Sequence, residues 1–384
     1  MRSSFFAGSA ALLALASFVH AVPQFAASSS SQTSTATRVL VSQAAAATGT
    51  TACNNSPLLC NRSYRNITHM GAHNSASLRD SSTDFSTSGN TFYNATVALS
   101  AGIRLLQAQV HLENGVLHLC HSSCTLLDSG TLQAWLSAIT VWMDANPDEV
   151  VTILLVNADD QTAASYGTVF AASGISAYGY TPSSTSAMST WPTLQTMIAA
   201  NTRLVTFITN MDYSTAYPYL LPEFTYVFET AFGVTSTDGF NCTLDRPSTQ
   251  TSSAGAISAG FMGLINHFLD KDVGFGILIP DISNITNTNS PSTTNVAALG
   301  RQASDCNREW GEKPTFILTD FFNVGPAIAT ADLLNGITAT GRTSLSTAQL
   351  TVTTSVASSG SGSSPFAIAG AIMAFVAIGN IVWL

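Results

Sequence analysis

The chain has 384 residues, a formal net charge of −9 and only 9% charged residues. Its lysines are Lys271 and Lys313, and it has no basic run, so a nucleic-acid partner is not expected. So low a charged fraction is unusual for a soluble domain, and attached glycans would supply the missing surface hydration.

The amino terminus is typical of a secreted protein. Arg2 precedes an apolar run from Phe5 to Val19, and Ala21 is a small residue suited to signal peptidase. Residues 1–21 are predicted to be a signal peptide that is too short to span a bilayer. Residues 22–52 are rich in Ser, Thr and Ala without a period, which predicts a disordered, O-glycosylated leader.

The folded part is predicted at residues 53–340, a length that suits one α/β barrel. Helices are expected at residues 95–101, 132–143 and 330–336, and before Arg203. Strands are expected at residues 66–70, 103–111, 116–121, 150–156, 204–208, 226–229, 263–266 and 315–319. This alternation favours a closed TIM-type (β/α)8 barrel over an open doubly wound sheet, because no glycine-rich dinucleotide or P-loop signature occurs.

The carboxyl terminus resembles a glycolipid attachment signal. Residues 341–365 form a Ser/Gly/Thr-rich stalk, and residues 366–384 are apolar and uncharged. This order predicts a GPI anchor and a location on the extracellular face of the plasma membrane or in the cell wall. A transmembrane helix is the alternative, and the attachment residue is open between Ser355 and the run from Ala357 to Gly360.

Glycosylation signals and cysteines fit the secretory pathway. Six sequons occur, at Asn54, Asn61, Asn66, Asn94, Asn241 and Asn284. Six cysteines allow fifteen pairings, of which close spacing favours 53–60 and 120–124, leaving 242–306. A zinc site at Cys120, His121 and Cys124 is the alternative, disfavoured because thiols oxidise in this compartment.

Polar residues follow the predicted strands at the end where barrel enzymes place their chemistry. They are His73, Asn74, Gln107, Gln109, His111, Asn157, Asn210, Asp212 and Asp320. Two separated histidines suit metal-free cleavage of a phosphodiester, one taking a proton and the other returning one. His267 is interpreted as a residue at the rim of the site, with a core histidine as the alternative, and His69 as a structural strand residue.

Several motifs together resemble the catalytic X-domain of phosphatidylinositol-specific phospholipase C, and more closely the secreted fungal PLC-like phosphodiesterases. The resemblance covers about residues 53–340. The motifs are Gly71-Ala72-His73-Asn74-Ser75, Ala101-Gly102-Ile103-Arg104-Leu105-Leu106-Gln107, Leu117-His118-Leu119-Cys120-His121, Asn146-Pro147-Asp148-Glu149-Val150-Val151, Asn266-His267-Phe268 and Thr319-Asp320-Phe321-Phe322.

The resemblance implies a distorted TIM barrel and cleavage in two steps, through a cyclic phosphate that water then opens. It implies that His73 is the general base, that His121 is the general acid and that Asp320 holds His73 in the useful tautomer. Asn74 stands where bacterial members carry an Asp and calcium-dependent members a metal-binding Asn.

Two positions depart from the family pattern. Gln107 and Gln109 stand where bacterial members place an acid and an arginine, and where calcium-dependent members place metal-binding carboxylates. Neutral amides are poor calcium ligands. Arg104 does not replace the missing cation, because its strand parity is opposite to that of the two glutamines.

The register of the predicted hairpin decides which histidine faces the site. A three-residue loop from Glu113 to Gly115 puts His121 opposite Gln107, and the family match favours this register. A two-residue loop would pair His118 with His111 and make His118 the candidate acid.

The sequence therefore predicts an extracellular, membrane-anchored PLC-like phosphodiesterase. Its expected substrate is an inositol phospholipid, a glycosyl-inositol lipid or a related phosphodiester, and no metal or cofactor is expected. The alternative is a barrel that has lost catalysis and serves as a cell-surface binding or wall protein. The oligomeric state is left open.

Overall fold

A computed structural model describes residues 52–351. The predicted signal peptide, nearly all of the leader, the end of the stalk and the anchor signal lie outside the described residues. Within residues 52–351, no helix is both long and apolar enough to cross a bilayer.

The described chain contains short strands and helices in alternation. The strands are β1 His69–Ala72, β2 Leu105–Glu113, β3 Val116–Cys120, β4 Asp128–Thr131, β5 Val151–Asn157, β6 Leu204–Ile208, β7 Leu220–Pro222, β8 Val227–Thr230, β9 Leu244–Arg246, β10 Met262–Asn266, β11 Asp270–Asp272, β12 Leu278–Pro280 and β13 Phe316–Thr319. The helices are α1 Ala95–Ala101, α2 Leu132–Ala145, α3 Ala163–Ser173, α4 Leu194–Ala199, α5 Glu223–Tyr226, α6 Ser253–Ser258, α7 Ile285–Thr288, α8 Leu299–Trp310 and α9 Ala327–Asn335.

Eight strands form a parallel α/β barrel, which confirms the predicted fold class. Their order is β7-β6-β5-β2-β1-β13-β10-β8, and every neighbouring pair is parallel. Among residues 52–351, no ladder joins β7 to β8, so the barrel is open at that seam. β3 and β4 extend β2 in antiparallel fashion, and β11 and β12 form a separate hairpin.

Strand parity divides the core into two layers. Side chains such as Leu105, Leu154, Phe207, Leu264 and Phe316 fill the inside of the barrel. Their neighbours of opposite parity, among them Leu106, Ile153, Ile208, Ile265 and Ile317, pack under the helices. Side chains alternate between the faces of a strand, so parity decides which polar residues reach the mouth of the barrel.

The three predicted disulfides are confirmed. They join Cys53 to Cys60, Cys120 to Cys124 and Cys242 to Cys306. Because Cys120 and Cys124 are oxidised together, they offer no thiolates for the alternative zinc site.

The predicted register of the β2–β3 hairpin is wrong. Glu113 pairs with Val116 and His111 with His118, which leaves a two-residue turn at Asn114-Gly115. Both turn residues have positive φ, 50° and 81°, as a type I′ turn requires. This tight turn matches the strand twist, so it is preferred to the three-residue loop.

Candidate active site

His73 is fixed on two sides at the carboxyl end of β1. Its Nδ1 lies 2.9 Å from Asp320 Oδ1. Its ring stacks on Phe268 with the centroids 3.7 Å apart and the planes 2° from parallel. The Nδ1 contact leaves Nε2 to exchange a proton with a substrate, as in other carboxylate–imidazole pairs.

Asp320 follows β13 and is buried. Asn90 Nδ2 donates to Asp320 Oδ1 over 3.0 Å and lies 3.4 Å from His73 Nδ1. Asn289 Nδ2 contacts the carbonyls of Asp320, Phe321 and Val324, which fixes the backbone of this turn. Asn90 was missed from the sequence, because it lies in an irregular loop with no motif to mark it.

His121 follows β3 directly. Burial lowers the pKa of His121 to about 4; the neighbouring His73 lowers it too, and Asp320 acts in the opposite direction. Both charge effects on His121 indicate that its ring lies near the His73–Asp320 pair. With the observed two-residue turn, strand parity would direct His121 away from the site. β3 ends at Cys120, however, so strand parity does not determine the direction of His121.

His118 is engaged elsewhere, although the observed register is the one that favoured it. Its Nδ1 lies 3.0 Å from Asp128 Oδ2 on the neighbouring strand β4. His111, its cross-strand partner, lies 3.4 Å from Asp159. Each of these two histidines therefore lies beside a separate carboxylate, His118 beside Asp128 and His111 beside Asp159.

The two glutamines hold the segments that carry the histidines. Gln107 Oε1 accepts a hydrogen bond from the backbone N–H of Asn74 over 2.6 Å. Gln109 Oε1 accepts one from the backbone N–H of Ser122 over 2.9 Å. Each glutamine therefore binds the residue that follows a candidate catalytic histidine.

These positions do not fit a calcium site. Both side chains are neutral and both carboxamide oxygens already accept a backbone N–H, whereas calcium prefers several charged oxygens. Asn74, which has φ of 41°, is buried; within residues 52–351 neither polar atom of its side chain has a hydrogen-bond partner. The described residues contain no group of three or more His, Cys, Asp or Glu side chains suited to a metal ion.

Two predicted substrate-binding residues are structural instead. Asn157 is buried and exchanges hydrogen bonds with Gln161, Tyr166 and the carbonyl of Asn210. His267 is buried; its Nδ1 lies 2.6 Å from Gln302 Oε1 and its Nε2 lies 2.8 Å from the Thr288 carbonyl. Both residues have the strand parity that faces the helices, so their assignment to the mouth is wrong.

Asn210 and Asp270 are two further polar residues of the described chain. Asn210 is exposed and lines a cavity of about 370 Å³ with Asp212, at the ends of β6 and β7. Burial raises the pKa of Asp270 to about 7; Asp320 also raises it, and His73 lowers it. Asp270 was missed because it lies on the short strand β11, which was not predicted.

The fold and this site define an α/β barrel with a histidine–aspartate pair at the carboxyl end of its strands. The family model PI-PLC X 1 matches residues 59–335. The chain therefore belongs to the PI-PLC X family.

Two fungal relatives from Arthroderma benhamiae are similar over most of the chain. "PI-PLC X domain-containing protein 1" is 36% identical over 290 residues, which cover 74% of this chain and 90% of the relative. "Uncharacterized secreted protein" is 35% identical over 306 residues, which cover 77% of this chain and 66% of the relative. The phosphatidylinositol-specific phospholipase C of Listeria monocytogenes is 15% identical, with a TM-score of 0.48 and coverage of 75% and 98% of the two chains.

Proposed function

We propose that this protein is a phosphoric diester hydrolase that acts on an inositol phospholipid, a glycosyl-inositol lipid or a related phosphodiester. The observation that carries the proposal is the His73–Asp320 pair, stacked on Phe268 and electrostatically linked to His121. Membership of the PI-PLC X family supports the reaction class.

The proposed reaction uses the histidines in turn. His73 Nε2 takes the proton of a substrate hydroxyl as its oxygen attacks phosphorus, and the bond from phosphorus to the leaving oxygen breaks. His121 gives a proton to that leaving oxygen. In the second step water attacks the cyclic phosphate, and the two histidines exchange roles.

The low pKa of His121 is compatible with its role as an acid once substrate is bound. Burial keeps the free ring neutral. A phosphodiester places a negative charge beside the ring and stabilises its protonated form. The substrate therefore helps to protonate the residue that its leaving group needs.

Substitution of the histidines tests the proposal. We expect His73→Ala and His121→Ala to lower kcat on phosphatidylinositol vesicles by at least about 10²-fold, the lower range of acid–base catalysis. His118→Ala should retain most activity, because His118 is held by Asp128. Full activity of His73→Ala would contradict the proposal.

A non-catalytic barrel is the second candidate, favoured by the neutral Gln107 and Gln109. Absence of turnover on phosphatidylinositol and on glycosyl-inositol lipids, with and without calcium, would support a cell-surface binding or wall protein instead. Secretion is supported by the predicted signal peptide, by three disulfides and by the name of the secreted relative. The GPI anchor remains a proposal, tested by release of the protein from cells by a GPI-cleaving enzyme.

A further inference from the structure

Gln107 and Gln109 present their amide groups to one region of the barrel mouth. They lie two residues apart on β2, so both side chains extend from the same face, about 7 Å apart along the strand. One holds the residue after His73 and the other holds the residue after His121. The space between the two carboxamides is therefore flanked by both histidine segments.

The orientation of each carboxamide follows from its contact. A backbone N–H can only donate, so the atom that faces Asn74 N or Ser122 N must be the glutamine oxygen. The NH2 group then occupies the other branch of the carboxamide. Within residues 52–351 neither Nε2 has a hydrogen-bond acceptor; Gln107 is buried, with 4% of its surface exposed, and Gln109 is half-buried.

Arg104, the arginine closest to the two glutamines along the chain, does not supply a charged group for the phosphate. Arg104 is buried, and its guanidinium forms hydrogen bonds with Glu149 and with the Leu99 and Ile103 carbonyls. Its parity on the chain is also opposite to that of the glutamines. Negative charge that develops on phosphorus-bound oxygens must therefore be met by other donors.

We propose that the NH2 groups of Gln107 and Gln109 bind the non-bridging phosphate oxygens of the substrate as a neutral oxyanion-binding pair. Preorganised amide donors of this kind stabilise oxyanions in other enzymes without a formal charge. The glutamine oxygens position the histidine segments, while the glutamine nitrogens contact the substrate. This assignment rests on the proposed function and adds two residues that contact the reacting phosphate.

Substitution of Gln109 separates contact with phosphate from positioning of the His121 segment. Gln109→Met keeps the length of the side chain and removes both donor and acceptor, while Gln109→Glu keeps the acceptor and removes the donor. We expect both variants to lower kcat by about 10²- to 10³-fold, as loss of one oxyanion donor does. Gln161→Met, the same change in a mouth loop, is the matched control and should retain activity.

Phosphorothioate substrates give the decisive readout. Sulfur accepts hydrogen bonds poorly, so the wild-type enzyme should cleave one phosphorothioate diastereomer more slowly than the oxygen substrate. Gln109→Met should lose that difference, since its donor is already absent. A thio effect of the same size in wild type and Gln109→Met would overturn the assignment, because a purely positioning residue leaves it unchanged.

Binding of inorganic phosphate keeps this inference distinct from the proposed function. In calorimetric titrations, Gln107→Met and Gln109→Met should each bind phosphate at least about ten-fold more weakly than wild type and Gln161→Met, as loss of one net hydrogen bond predicts. Equal phosphate affinity in all four proteins would overturn the donor assignment even if the enzyme proved active. Weaker binding in a protein without turnover would retain the assignment and reject the proposed function.

Discussion

His121 must carry a proton to act as an acid, yet its surroundings favour the neutral ring. Burial lowers its pKa to about 4, and the nearby His73 acts in the same direction. In a two-histidine mechanism the lower macroscopic pKa sets the acid limb of kcat/KM. On the acid side of the profile we therefore expect kcat/KM to fall only below about pH 4, well under the ordinary histidine value of about 6.5.

The acid limb of kcat should lie at higher pH, since the bound phosphodiester anion raises the pKa of His121. Rate profiles from pH 3 to 9 on a soluble phosphodiester give the acid limb of kcat/KM and the acid limb of kcat. Nuclear magnetic resonance of the histidine ring protons, assigned with the His121→Ala variant, gives the pKa of the free enzyme directly. An acid limb of kcat/KM near pH 6.5 would contradict this assignment of the acid.

Parity arguments from the sequence succeed inside strands and fail just beyond them. Gln107 and Gln109 share the strand parity of Leu105, whose side chain lies inside the barrel, as their spacing predicts. Asn157 and His267 were predicted at the mouth, although their parity faces the helices. His121 follows the last residue of β3, so its direction is set by the loop and not by the hairpin register.

The segment after β3 is a compact element built around one short disulfide. Cys120 and Cys124 close it, the Ser123 N–H donates to the His121 carbonyl over 2.6 Å, and the His121 N–H donates to Leu127 O over 3.0 Å. Ser122, with φ of 57°, presents its N–H to Gln109. The disulfide therefore helps to set the direction of the His121 ring.

Removal of this disulfide should reduce both catalysis and stability. Closing so short a loop stabilises the fold by about 2 kcal/mol in the chain-entropy model. We expect Cys120→Ser/Cys124→Ser to lower kcat by at least about 10-fold, because small displacements of catalytic groups are costly. The measurements are turnover at 20 °C and chemical unfolding.

The disulfide between Cys53 and Cys60 provides a matched control. It also closes a short loop, of sequence separation 7 against 4, and it packs with Tyr64 and Leu105 in the core cluster inside the barrel. Cys53→Ser/Cys60→Ser should lose similar stability and keep its kcat. If both double variants lose activity equally, the effect belongs to the fold in general and not to the His121 segment.

At the scale of the whole molecule, the barrel was predictable because seven of its eight parallel strands are apolar runs bounded by turns. The predicted strand at residues 204–208 and helix at residues 95–101 have the observed bounds. The missing barrel strand, β7, is only three residues long and ends in Pro222, so it lacks a strand pattern. This short strand lies at the open seam between β7 and β8.

The accessibility of the sequon asparagines to glycosylation also depends on the complete fold. Five of the six sequon asparagines are exposed and suit glycans: Asn61, Asn66, Asn94, Asn241 and Asn284. Asn54 is buried, and its Oδ1 accepts the Val150 N–H over 2.7 Å. Sequence spacing alone gives no sign of this difference, because burial arises from distant parts of the chain.

The disulfide between Cys242 and Cys306 joins distant parts of the barrel wall. Its sequence separation is 64, and it ties the segment before β9 to α8. Trp310 of α8 also donates to the Cys242 carbonyl over 3.0 Å. Because a cross-link restricts the unfolded chain more as its loop lengthens, this one should contribute about 4 kcal/mol to the free energy of unfolding.

We therefore expect Cys242→Ser/Cys306→Ser to lose about 4 kcal/mol in chemical unfolding, roughly twice the loss in the Cys120/Cys124 double variant. Its kcat at 20 °C should stay near that of wild type, since neither cysteine holds a candidate catalytic segment. If the Cys242/Cys306 variant loses more stability and the Cys120/Cys124 variant loses more activity, the Cys242–Cys306 disulfide stabilises the barrel and the Cys120–Cys124 disulfide orients His121. A loss of kcat in the Cys242/Cys306 variant at temperatures where it remains folded would contradict that division, and would mean that α8 also controls the geometry of the site.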